Sequence, residues 1–128
     1  MKLQESAQNY LETILMLKER IGSVRSIDVV HELGYSKPSV SVAMKRLRED
    51  GYIVMDKDGY ITLTDSGEQV AESIYERHRV LSRAFVNLGV DAKTATEDAC
   101  KIEHYISEQT FRQIKKHLVE DHNMKTED

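Results

Sequence analysis

Residues 26–63 read SIDVVHELGYSKPSVSVAMKRLREDGYIVMDKDGYITL, and the fold turns on how this stretch is divided. Ser26 is expected to cap a short helix through Val29, Val30 and Leu33, and Gly34 supplies a residue that enters the left-handed region at no steric cost. After the Gly34-Tyr35 turn, Ser36 starts a second helix with Pro38 in its first turn, where a missing N–H does no harm. Val40, Met44 and Leu47 carry that helix toward Gly51. Two short helices joined by a tight Gly-containing turn form a helix-turn-helix. Beyond Gly51 the apolar period changes from helical to two. Tyr52-Ile53-Val54-Met55 and Tyr60-Ile61-Thr62-Leu63 flank Asp56-Lys57-Asp58-Gly59, whose Asp-Gly marks a hairpin. The stretch therefore predicts a winged helix-turn-helix with a two-stranded wing.

On the N-terminal side, Leu11, Ile14, Leu15 and Leu17 predict a helix from about Gln4 to Arg20, closed by Gly22. On the C-terminal side, Thr64 caps a long helix through Val70, Ile74, Leu81 and Phe85 to Leu88. Asp91 caps the next, and Ser107 caps a last one carrying Phe111, Ile114 and Leu118. The polar tail from Glu120 to Asp128 is expected to fray. The division is 1–63 for the winged module and 64–128 for an all-helical part, so the class is mainly α. Those later helices carry more apolar surface than a short hairpin can cover, which predicts self-association.

At 128 residues with 40% apolar content, the chain suits a soluble globular protein. No stretch reaches the ~18 consecutive apolar residues of a membrane helix, no leader is evident, and one cysteine forms no internal disulfide. The expectation is a cytoplasmic protein. The net charge of -4 conceals an uneven distribution. From Arg20 to Arg48, six bases face only Asp28 and Glu32, a local net of +4, while acids outnumber bases after Asp65. Local charge, rather than the total, steers a protein toward phosphates.

In a winged helix-turn-helix the second helix of the motif enters the major groove with its N-terminal residues at the base edges. Those are Ser36, Lys37, Pro38, Ser39, Ser41 and Val42. The hydroxyls suit phosphate or base-edge hydrogen bonds, Pro38 and Val42 suit thymine methyls, and Lys45 and Arg46 suit backbone phosphates. The competing reading is a winged module for protein contacts with an ordinary solvated charged face; the placement of the basic excess on this segment favours DNA.

A second cluster lies in Glu97-Asp98-Ala99-Cys100-Lys101-Ile102-Glu103-His104, which reads as a helix interior. Spacings of three and four bring Cys100, Glu103 and His104 to one face, gathering a thiol, a carboxylate and an imidazole, all transition-metal donors. The plainer alternative is a packed small Cys with two solvated neighbours. Cys100 as an oxidant sensor is a third possibility. An enzyme with Cys100 and His104 as nucleophile and base is disfavoured, since the chain has no Gly-rich phosphate loop and no His-Glu-x-x-His. His31 reads as an exposed surface residue, and His117 and His122 belong to the last helix and the tail; none of the three is expected to bind metal.

With wing, long helix and Cys-x-x-Glu-His helix in this order, nearly the whole chain resembles the metal-dependent repressors that include the diphtheria toxin repressor and the manganese transport regulators. Asn9-Tyr10-Leu11-Glu12, Ser36-Lys37-Pro38-Ser39-Val40-Ser41, Leu63-Thr64-Asp65-Ser66-Gly67, Arg77-His78-Arg79 and Asp98 to His104 carry the resemblance. It implies a homodimeric, metal-activated repressor on palindromic operator DNA, with a helical dimerisation domain. The ligands it implies are Glu12, His78, Cys100, Glu103 and His104. Asn9 stands where the manganese branch has an aspartate and the iron branch a methionine. Cys100 follows the iron branch, whereas Glu12 and the lack of an SH3-like domain follow the manganese branch. Ser82 and Thr96 replace the acid and histidine of the iron branch's ancillary site. The expected corepressor is Fe(II), with Mn(II) next.

Overall fold

The computed structural model describes residues 3–122 and divides within one long helix, between Ser73 and Ile74, into two compact units. The first unit runs α1 (Glu5–Ile21), β1 (Val24–Arg25), α2 (Ser26–Leu33), α3 (Lys37–Glu49), β2 (Ile53–Met55) and β3 (Tyr60–Leu63), and ends in the first turns of α4 (Asp65–Asn87). The helix-turn-helix is α2 and α3. Gly34 sits in the left-handed region at φ 72°, and its N–H returns to the Val30 carbonyl at 2.8 Å to end α2.

Two local readings are corrected. Arg25, not Ser26, is the N-cap of α2, because Arg25 is extended and its N–H donates to Asp28 Oδ2 at 2.9 Å. The sheet has three strands rather than two: β1 pairs antiparallel with β3, Val24 opposite Ile61 and Arg25 opposite Tyr60. A two-residue strand has no periodicity of its own, and its pairing depends on β3, far along the chain. The β2–β3 hairpin stands as expected, with Ile53 opposite Leu63. Asp56 Oδ1 accepts the Asp58 and Tyr60 N–H groups and so holds the turn.

Leu11, Ile14, Val24, Val29, Val40, Met44, Ile53 and Ile61 are buried in this unit. Each large aliphatic side chain among them contributes roughly 1.5–3 kcal/mol when fully withdrawn from water. Thr64 caps α4 through the Gly67 N–H and donates its hydroxyl to the Gly51 carbonyl at 2.7 Å, so the start of α4 is fastened to the wing. Gly67 faces the Tyr52 carbonyl so closely that an added Cβ would lie 2.0 Å from its oxygen.

The second unit comprises the rest of α4, α5 (Ala92–Ile102) and α6 (Glu108–His122). Asp91 caps α5, accepting the Thr94 N–H and hydroxyl, and Ser107 accepts the Thr110 N–H at the start of α6. Val80, Phe111 and Leu118 form its buried cluster, with Ala84, Ile106 and Ile114 packed against it. Among the described residues no helix is long and apolar enough to cross a membrane. The expected fraying of the tail concerns residues that lie mostly outside those described.

Candidate metal centre and nucleic-acid face

The helix expected to run unbroken through His104 ends two residues earlier. α5 stops at Ile102; Glu103 is its C-cap and His104 lies in the turn that follows. The Tyr105 and Ile106 N–H groups both return to the Ile102 carbonyl, a tightened last turn. Cys100 and Glu103 nevertheless keep their donor atoms within 4.8 Å of one another, as their i, i+3 spacing predicts, while His104 lies beyond the helix. Cys100 leaves α5 on an exposed side, whereas Glu103 and His104 turn into the interior.

To Cys100 and Glu103, α4 adds His78. His78 Nδ1 lies 2.9 Å from Glu103 Oε1, and Cys100 Sγ lies 3.7 Å from the same nitrogen. An imidazole nitrogen, a thiol sulfur and a carboxylate oxygen thus stand within 4.8 Å of one another. Donors bound to one transition-metal ion at about 2.0–2.3 Å are roughly 3–4 Å apart, so this trio fits such an ion with small side-chain adjustments. The Glu103 side chain is 1% exposed, and its second oxygen, Oε2, is 3.4 Å from His104 Nε2. A carboxylate so deeply buried is costly unless compensated, and here each oxygen faces an imidazole. The mixed nitrogen, sulfur and oxygen set suits borderline divalent ions such as Fe(II), Zn(II) or Co(II), with the carboxylate also suiting Mn(II).

Asn9 and Glu12 are on α1 in the first unit, Asn9 partly buried and Glu12 buried. Of the remaining histidines, His31 is exposed, as read from the sequence, and His117 is exposed on α6; the His122 side chain lies outside those described. Elsewhere in the second unit, Asp91 at the start of α5 and Glu108 at the start of α6 have carboxyls held below their ordinary range. For Asp91 the chief cause is the Thr94 backbone bond; for Glu108 it is the Arg112 bond, followed by that of Arg77.

On α3, burial alternates with exposure at helical spacing. Val40, Met44 and Leu47 are buried, while Lys37, Pro38, Ser39, Ser41, Val42, Lys45 and Arg46 are exposed, Val42 at 65%. The Ser36 oxygen accepts the Ser39 N–H at 3.3 Å and its hydroxyl donates to Ser39 Oγ at 2.9 Å. Ser36 is thereby engaged in holding the helix start, which leaves Lys37, Ser39, Ser41 and Val42 as the outward set. Lys57 is exposed in the β2–β3 turn.

Two features had little signal in the sequence. His78 has a helical setting like many surface histidines, and only the quoted Arg77-His78-Arg79 motif pointed to it. Arg77, beside it, bonds the carbonyls of Glu103 and Ile106, and nothing in its local spacing announces those partners.

Residues 2–61 match the family model "Iron dependent repressor, N-terminal DNA binding domain", and residues 64–122 match "Iron dependent repressor, metal binding and dimerisation domain". The chain is similar to the transcriptional regulator MntR of Escherichia coli O157:H7, 36% identical over 84% of this chain and 70% of that protein. It is 28% identical to the diphtheria toxin repressor of Corynebacterium diphtheriae, over 91% of this chain and 52% of the repressor. A solved manganese-dependent transcriptional repressor in complex with manganese superposes with a TM-score of 0.81 at 31% identity, covering 88% of this chain and 52% of that one. The chain thus spans about half the length of that solved regulator.

Proposed function

Since the chain belongs to the iron-dependent repressor family, we propose that it is a homodimeric, metal-activated transcriptional repressor, acting in the cytoplasm on a palindromic operator and controlling metal-ion homeostasis. It is a regulator and not an enzyme. The observation that carries the metal reading is the meeting of His78, Cys100 and Glu103 from two separate helices. His104, Glu12 and Asn9 complete the proposed ligand set on the family pattern. A bound divalent ion supplies charge that holds these donors together. The protein's part is to offer a thiolate, imidazole and carboxylate, with the thiol and imidazole giving up their protons on ligation.

The proposed DNA contacts are Lys37, Pro38, Ser39, Ser41 and Val42 at base edges or the adjoining backbone, Lys45 and Arg46 on phosphates, and Ser36 at the helix start. A second copy of the chain places its own α3 on the other half-site. Held by these residues, a divalent ion would favour the DNA-competent arrangement only if they bind it more tightly there than in the alternatives, and a coupling of about 1–3 kcal/mol would correspond to roughly 5–150-fold tighter operator binding.

The preferred ion in this reading is Fe(II), because the Cys100 sulfur is a soft donor. Mn(II) is the second reading, supported by the manganese regulators among the relatives and by Glu12. A different effector, an oxidant acting on Cys100, is the alternative mechanism for the same DNA-binding module.

Operator binding by fluorescence anisotropy tests the whole reading, at fixed salt, anaerobically, with Fe(II), Mn(II), Zn(II) or chelator, on wild type and Cys100→Ala. Metal-dependent tightening that Cys100→Ala removes or re-ranks is the expected result. Operator affinity unchanged across the metal titration sinks it, and oxidant-dependent release of DNA from metal-free protein selects the alternative.

A further inference from the structure

Consecutive residues of α4 grip opposite ends of Glu103. His78 meets its carboxylate, while the Arg77 Nη1 donates to its backbone carbonyl at 3.2 Å. The same Nη1 donates to the Ile106 carbonyl at 2.6 Å. Arg77 Nη2 donates to Glu108 Oε1 at 3.0 Å, and the guanidinium lies 5.3 Å from the centre of the Phe111 ring. The Arg77 side chain is largely buried, at 13% exposed.

These contacts explain why the corner from Glu103 to Ser107 has its shape. Beyond the end of α5, the carbonyls of Glu103 and Ile106 need donors other than helical N–H groups, and a guanidinium offers several in one rigid plane. The corner that carries Glu103 and His104 is thereby fixed to α4, the helix that carries His78. Glu103 has little freedom left: its main chain is held by one residue and its carboxylate faces the next. Metal ligands depend on such outer partners for their orientation, and loss of one typically costs about 10–100-fold in affinity.

We propose that Arg77 is a positioning residue of the metal centre, setting the affinity and ligand geometry of a divalent cation by holding the Glu103 and Ile106 carbonyls. The proposal rests on the metal reading of His78, Cys100 and Glu103. Arg77 does not touch the ion; it acts through the backbone of a ligand. Its ion pair with Glu108 is a separate attachment, since Glu108 is shared with Arg112 at the surface.

The test uses the whole chain, metal-free, titrated with Co(II) under anaerobic conditions. Affinity is read by chelator competition, ligand geometry by the visible ligand-field bands, and folding by apo circular dichroism and melting. Arg77→Gln and Arg77→Lys are compared with Glu108→Gln, which removes the ion pair and leaves the carbonyl bonds. Arg77→Lys retains the positive charge and stands in if Arg77→Gln does not fold.

Expected are a roughly 10–100-fold loss of Co(II) affinity and displaced bands in the Arg77 variants, with bands at wild-type positions in Glu108→Gln. Wild-type affinity and bands in a folded Arg77 variant overturn the proposal. So does an equal loss in Glu108→Gln, which would assign the effect to the ion pair and general stability. If wild type itself shows no Co(II) bands involving sulfur, the metal reading has failed rather than the role of Arg77 within it.

Discussion

Cys100 Sγ stands 3.7 Å from His78 Nδ1, although 22 residues separate them in the chain. A thiol brought to an imidazole, with the Glu103 carboxylate on the same nitrogen, defines the softest part of the donor set. Replacing it changes both strength and preference. Cys100→Ala is expected to weaken Fe(II) or Co(II) binding by on the order of 100-fold or more, beyond the usual cost of losing an outer partner. Cys100→Asp shifts the ranking toward Mn(II), because carboxylate oxygen replaces sulfur. Anaerobic chelator competition with each ion measures both, and an unchanged ranking in Cys100→Asp would deny the thiol its role in selection.

The Gly67 position tolerates no side chain, because a Cβ would lie 2.0 Å from the Tyr52 carbonyl oxygen, a backbone atom that also accepts the Thr64 N–H. Gly67→Ala gains helix propensity but must push the wing from the start of α4. The overpacking cost of about 1–3 kcal/mol outweighs the gain of roughly 0.5–1 kcal/mol. Urea denaturation of the metal-free protein is expected to show net destabilisation. A variant as stable as wild type would mean that the wing shifts freely.

Acid should erase the advantage that Asp91 gives α5. Its carboxyl is held below the ordinary 3.8 by bonds from Thr94. A depressed folded value means that the ionised cap stabilises the native state above the unfolded value and loses this contribution as pH falls through the folded one. Asp91→Asn keeps an acceptor oxygen but no charge. Denaturation should find it less stable than wild type at neutral pH, with the gap closing as pH falls below 3.8 and through the lowered folded value. A gap independent of pH would show that the charge of the cap contributes nothing.

Lys45 and Arg46, both exposed on α3, are expected to act on phosphates. Removing either should lower the magnitude of the salt slope of log affinity by about 1 and weaken all sequences alike. Val42→Ala, which removes methyl contacts from the outward face, should instead alter preference between thymine and other bases at one operator position. Anisotropy titrations over a range of salt and single-base operator variants separate the two behaviours. Equal salt slopes for wild type and Lys45→Ala would remove Lys45 from the phosphate contacts.

Leu88 is 81% exposed at the end of α4, beside a hollow of about 460 Å³ lined by Ala84, Phe85, Ile114 and Leu118. Apolar surface of this kind in the unit that matches a dimerisation domain is the expected seat of a second copy. Leu88→Glu should shift sedimentation equilibrium toward monomer and, with it, weaken binding to a two-half-site operator more than to a half-site. A mass identical to wild type at micromolar concentration would exclude Leu88 from the interface.

Much of this protein was determined locally and was legible in residue order. The helical spacing of Leu11, Ile14 and Leu15, the caps at Ser36, Asp91 and Ser107, the left-handed Gly34 and the Asp56-to-Gly59 turn each act within a few residues. The order of elements, the exposed face of α3 and the membership of Cys100, Glu103 and His104 in one sequence motif follow from such short-range rules.

The tertiary structure alone decided what lies between elements. Val24-Arg25 becomes a strand only by pairing with β3, and α5 stops at Ile102 where Arg77 from α4 bonds the corner beyond it. The family resemblance names His78, but its meeting with Glu103 spans 25 residues, a separation that no helical spacing around Cys100 contains. Local periodicity sets which face of a helix is apolar, but the carbonyls at a helix end and the donors around a buried carboxylate are satisfied by whatever the fold brings to them, and that depends on packing between distant segments.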